Sequence, residues 1–98
     1  MIIGRFEWDE SKNLANQKKH EISFEDAAEV FGDPLHVTII DPGSGHEERW
    51  KTYGIVDGFA VLMVAHTDRD DDGIEIIRII SARRATRQER QYYERENG

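Results

Sequence analysis

Apolar positions change their period along this chain, and the changes mark its elements. Phe24, Ala27, Ala28 and Phe31 fall at i, i+3, i+4 and i+7, one stripe of a helix. Ser23 with Asp26 offers a cap at its start, Gly32 supplies the C′ position and Pro34 forbids continuation. Upstream, Phe6-Glu7-Trp8 reads as a short strand, Asp9 as an N-cap, and Glu10 to Lys19 as a helix favoured by propensity, with a thin apolar face of Leu14 and Ala15. From Leu35 to Ile40 the period is two, and Asp41-Pro42-Gly43-Ser44-Gly45 has the chemistry of a loop. Glu48 to Val56 is the next strand, with Arg49, Lys51 and Tyr53 on one face and Glu48, Trp50 and Thr52 on the other. Asp57-Gly58 is a strong hairpin signal, and Phe59 to Thr67, apolar on both parities, is a central strand.

Asp68 to Gly73 then reads as an acidic turn. Five isoleucines between Ile74 and Ile80 favour extended chain, because a branched Cβ fits a pleated surface better than a helix turn. Thr86, followed three residues later by Glu89, is a capping box that opens a helix whose buried side is Ala85, Tyr92 and Tyr93. The predicted order is β-α-α-β-β-β-β-α. That is an α+β fold with a mostly antiparallel sheet, and 98 residues make a single domain spanning 1–98.

Charge narrows the function. The formal net charge is −7, yet from Arg78 onward six arginines face three acids, leaving +3 there and −7 − 3 = −10 in the rest. Phosphate neutralisation is the main sequence-independent attraction to nucleic acid, so the acidic whole disfavours a direct DNA-binding protein and makes any RNA contact local. The arginine cluster at the strand-to-helix junction suits phosphate recognition through planar forks, but on composition alone it fits better a solvated helix face with Arg90 and Glu94 as a helical pair. There are no cysteines and the four histidines are scattered, so neither a disulfide, a structural zinc site nor any other cofactor is expected. The amino terminus lacks an apolar signal core and no apolar run would cross a bilayer, which predicts a soluble cytoplasmic protein.

Several segments together resemble the BrnT toxin family of bacterial type II toxin–antitoxin systems. They are Phe6-Glu7-Trp8-Asp9, Asn13 with Asn16 and Lys19-His20, Ile22-Ser23-Phe24-Glu25, and Phe31-Gly32-Asp33-Pro34. Further on come Glu48-Arg49-Trp50, Gly54, Thr67 with Arg69, and Ile79-Ile80-Ser81-Ala82-Arg83 running into Ala85-Thr86, Glu89-Arg90 and Tyr93. The resemblance implies a RelE-like fold, RNA cleavage that arrests translation, and neutralisation by a BrnA-type ribbon-helix-helix antitoxin through which alone operator DNA would be bound. Three departures stand out. Glu21 occupies a position where the family usually has glycine, Arg84 one where it usually has lysine, and the loop 68–72 is unusually acidic.

Metal-independent RNA cleavage needs a base for the 2′-OH, cations for the charge on phosphorus and an acid for the leaving oxygen. Arg49 and Arg83 are the first candidates for the cations, with Arg69, Arg78, Arg84 and Lys51 as further phosphate ligands. Glu48 or His20, both at family positions, could be the base, although His20 could instead cap its helix end and Glu48 pair with an arginine. Trp50 and Tyr53 could each stack a base, worth about 1–3 kcal/mol, although a strand tryptophan is more often core. The alternative to a ribonuclease is a catalytically weak homologue that serves as an antitoxin-binding module or co-repressor, its acidic surface suited to a basic partner.

Overall fold

The computed structural model describes residues 2–3, 5–42, 48–57 and 60–98. Strands β1 (Ile2–Ile3), β2 (Phe6–Glu7), β3 (Val37–Asp41), β4 (Arg49–Val56), β5 (Ala60–Asp71) and β6 (Ile74–Arg84) form one sheet in the order β1-β2-β6-β5-β4-β3. Every pairing is antiparallel except β2 with β6. Helices α1 (Glu10–His20), α2 (Phe24–Ala28) and α3 (Arg87–Asn97), with a 3₁₀ turn at Glu29–Gly32, complete the chain. None of them is long and apolar enough to cross a membrane.

Strands β5 and β6 are central, as their apolar runs predict, because both faces of the sheet are covered there. On one face Leu62, Val64, Ile79 and Ala82 pack with Trp8, Ile22, Phe24, Ala27 and Val30. On the other, Val61, Met63, Ala65 and Tyr53 pack with Tyr93 of α3. The caps read from sequence are present: Asp9 accepts from the Ser11 N–H, Ser23 from Asp26, and Thr86 and Glu89 form the reciprocal box.

Four differences from the sequence reading have physical causes. The buried side of α1 is polar: Leu14 is 60% exposed, whereas Asn13 and Asn16 are buried. The Asn16 Nδ2 donates to the carbonyls of Ile22 and Ala82 (both 2.9 Å), and its Oδ1 accepts from the Ala82 N–H (3.2 Å), so one carboxamide satisfies the edge of β6 where β2 has ended. The helical stripe from Phe24 tightens into the 3₁₀ turn, and Gly32 is not left-handed. That turn presses Val30 onto Gly54, where a Cβ would lie 2.8 Å from the Val30 Cγ1 and 2.9 Å from its carbonyl oxygen. Two short strands precede α1 instead of one, and β3 begins only at Val37 because Leu35 and His36 donate their N–H groups back to Asp33. Finally, β5 continues through Asp71. The turn is only Asp72-Gly73, with φ of 53° and 86°, the left-handed pair a two-residue hairpin demands. Residues 43–47 and Gly58 of the other expected turns lie outside the described residues, although Asp57 has φ of 56°.

Candidate nucleic-acid interface

The α3 face of the sheet is covered by that helix only towards one end, and strand register fixes what lies on the remainder. Tyr53, Met63 and Arg83 form one row across β4, β5 and β6, and Lys51, Ala65 and Ser81 form the next. Arg49 lies one residue beyond the Trp50–His66 pair, level with Thr67, which pairs with Arg78. Rows on one face are about 7 Å apart. The middle row carries two small side chains, Ala65, which is 8% exposed at the border of the Tyr93 cluster, and half-buried Ser81, flanked by Lys51, with Arg49 and Arg78 on one side and Arg83 on the other.

An irregularity between Ala65 and His66 makes this grouping possible. Ser81 pairs with Ala65 and Ile79 with His66, so Ile80 is extra. Ile79 and Ala82 consequently share the face of α1 and α2, while Arg78 and Arg83 share the other. Plain alternation would have separated those two arginines.

Carboxylates hold Arg69 of β5 and Arg78 and Arg83 of β6. Arg69 grips Glu7 with both terminal nitrogens, and Arg78 Nη1 lies 3.4 Å from the same carboxylate. These hydrogen bonds, Arg69 foremost, hold the Glu7 carboxyl below its usual range despite partial burial. Arg83 donates Nη1 to Glu89 Oε1 (2.7 Å) and Nη2 to Oε2 (3.1 Å). That pair brings the Glu89 carboxyl down to about 2, helped by the Thr86 N–H at 2.8 Å. Arg49 and Lys51 carry no ion pair among the described residues and remain the available cations.

The other expected site residues scatter. Trp50 and Arg84 belong to the opposite face, at register with His66 and Leu62. Tyr53 is only 3% exposed, its ring edge-on to Tyr92 and its hydroxyl donating to Glu89 (3.1 Å), so it has no open face on which a base could stack. Burial, with Glu89 beside it, pushes the Tyr53 hydroxyl up to about 12. Glu48 is exposed just before β4. His20 ends α1 in a recess of about 230 Å³ shared with Lys12, Lys19, Ile80 and Ser81 along the outer edge of β6. It thus reaches the same edge recess as Ser81, whereas Glu48 is two strands away. Among the described residues no three His, Asp or Glu side chains gather closely enough to hold a metal ion.

Sequence reasoning passed over Glu7 and Glu89 as partners of the arginines; the capping box already placed Glu89 beside the end of β6. It also passed over His66, which is buried beneath the helices. There Thr38 Oγ1 meets Thr52 Oγ1 (2.8 Å), Thr52 Oγ1 meets His66 Nε2 (2.7 Å), and His66 Nδ1 meets Asp68 Oδ1 (2.7 Å), with the Phe31 ring 5.0 Å away. Burial pulls the imidazole below its usual pKa, more than Asp68 raises it.

Comparison with known proteins completes the picture. The family model described as the ribonuclease toxin BrnT of type II toxin–antitoxin systems matches residues 8–89. The 1.1 Å crystal structure of the Brucella abortus ribonuclease toxin BrnT is similar to this chain, with 27% identity and a TM-score of 0.58 over 82% of this chain and 94% of that one. No curated protein sequence matches.

Proposed function

Because the chain belongs to the BrnT family of ribonuclease toxins from type II toxin–antitoxin systems, we propose that it cleaves RNA on the α3 face of its sheet and thereby arrests translation. The observation that carries this reading is the Lys51–Ala65–Ser81 row, two small side chains with cations that carry no ion pair among the described residues at one side and Arg83 at the other. A ribose-phosphate backbone can approach small residues closely, and cations in two neighbouring rows can meet successive phosphates.

The chemistry proposed is metal-independent. The 2′-OH loses its proton to a base and attacks the adjacent phosphorus, and the P–O5′ bond breaks to leave a 2′,3′-cyclic phosphate and a 5′-oxygen that takes a proton from solvent water to become the 5′-hydroxyl. Arg49, Lys51 and Arg83 hold the charge that develops on the phosphoryl oxygens. His20 is better placed than Glu48 to serve as the base, since it borders Ser81. The 98 residues act as one RelE-like domain in the cytoplasm. A basic ribbon-helix-helix antitoxin covers the acidic molecule and alone contacts operator DNA.

One observation favours the second reading, an inactive homologue that serves as an antitoxin-binding co-repressor: Glu7 and Glu89 already occupy Arg69, Arg78 and Arg83. Induction of the chain alone, with growth and RNA integrity followed beside Arg49→Ala and Arg83→Ala at equal expression, separates the two. Arrest with RNA loss, relieved in folded variants, supports the ribonuclease. Absence of arrest from a folded native chain selects the co-repressor.

A further inference from the structure

A guanidinium has five N–H donors, and the pattern of those already used on Arg83 is informative. Its Nη1 donates to Glu89 Oε1 (2.7 Å) and to the Arg84 carbonyl (3.2 Å), and its Nη2 donates to Glu89 Oε2 (3.1 Å). Three donors are therefore taken. The two left over are Nε–H and the second N–H of Nη2, which lie parallel along one edge of the plane. That edge is itself a fork of the spacing a phosphate or carboxylate accepts.

Glu89 is in turn fixed. Its oxygens accept from the Thr86 N–H (2.8 Å) and the Tyr53 hydroxyl (3.1 Å), and it begins the capped helix that covers this end of the sheet. We propose that Glu89 is a positioning residue, which clamps the end of the Arg83 guanidinium so that its side edge meets the reacting phosphate. This rests on the RNA-cleaving reading above and adds to it a role for an acid that would otherwise look like a competitor of the substrate.

The two roles predict opposite kinetics. If Glu89 merely competes for Arg83, Glu89→Gln frees a cation and cleavage speeds up. If Glu89 aims the fork, the same variant keeps or tightens RNA binding, because a negative charge is gone, yet lowers the rate at saturating RNA by about ten- to a hundredfold. Both quantities would be measured, binding on a 2′-O-methyl RNA that cannot be cut and cleavage on its unmodified counterpart. Ser23→Ala provides the control, since it weakens the cap of α2 on the opposite face of the sheet; it should lower the melting temperature and leave the rate at saturating RNA within about twofold of native. A third readout is independent of turnover: the Arg83 Nε–H resonance of the native protein should shift when the 2′-O-methyl RNA is added.

A rate unchanged or raised in Glu89→Gln overturns the proposal, as does RNA binding that leaves the Arg83 Nε–H unmoved. A native chain that neither binds nor cuts RNA removes the ribonuclease reading and the inference with it.

Discussion

Replacing Glu21 by glycine should stabilise the protein. Glu21 closes α1 at φ 61° and ψ 27°, donating its N–H to the Gln17 carbonyl, the left-handed stop that usually carries glycine. In that region the Cβ of an L-residue crowds the following carbonyl oxygen at a cost of about 1–2 kcal/mol. Glycine removes the crowding but frees the unfolded chain, which returns about 0.4–1 kcal/mol. The side chain is exposed, so little packing is lost. A carboxylate after the last turn also opposes the helix dipole by about 0.3 kcal/mol. At the midpoints of these ranges the expected net gain for Glu21→Gly is about 1 kcal/mol, or about 4–8 °C in Tm for a domain of this size. Glu21→Gln removes the charge and keeps the Cβ, so it should recover only the dipole contribution, within about 2 °C of the native value. Thermal and urea unfolding of the three proteins measures both. A Glu21→Gly protein no more stable than Glu21→Gln would refute the argument that the backbone is strained here.

Two other expectations follow from buried polar groups. Asn16→Ala strips the partners from the Ala82 N–H and from two carbonyls, which should cost about 2–4 kcal/mol; urea midpoints test it, and a loss under about 1 kcal/mol would mean that the edge of β6 is satisfied in some other way. His66 makes stability depend on pH, because its imidazole is held below the ordinary value of 6.5 by burial. The unfolded chain takes up that proton first, so stability is full above about pH 6.5 and declines as the pH falls from there towards the folded pKa. Urea midpoints taken between pH 8 and pH 5 should fall accordingly, and His66→Gln should flatten the decline.

Much of the fold was legible because its signals are local. The Thr86–Glu89 box, the Ser23 cap and the two central strands each follow from a few neighbouring residues, and each is present. The strain at Glu21 was legible too, from its departure from glycine. What local patterns cannot carry is pairing across the sheet. Nothing near Asn16 shows that its carboxamide is buried against a strand 66 residues later, nor anything near Asn13 that its Oδ1 accepts from the Phe24 N–H. The acidic run from Asp68 looked like a turn because charge was weighed above the Asp72-Gly73 pair. Of the candidate site, the alternation of Arg49, Lys51 and Tyr53 was readable from β4 alone. The burial of Tyr53 under α3, and the acid that holds Arg69 and Arg78, depend on contacts no stretch of sequence contains, whereas the Thr86–Glu89 box alone brings Glu89 beside Arg83.

The extra residue at Ile80 also dictates how this surface can change. A single added position works as a change of reading frame for side chains: before it, even-numbered residues of β6 look towards α3, and after it odd-numbered ones do. Losing Ile80 would leave composition and charge almost untouched. It would nevertheless turn Arg78 from beside Glu7 towards the mostly apolar layer of Trp8 and Phe24, away from the carboxylate that holds it, or else turn Arg83 away from Glu89. The two arginines are therefore inherited together with the spacing between them. Anyone comparing relatives of this chain, or redesigning its charges, has to count outward from Ile80 in both directions before deciding which residues are neighbours.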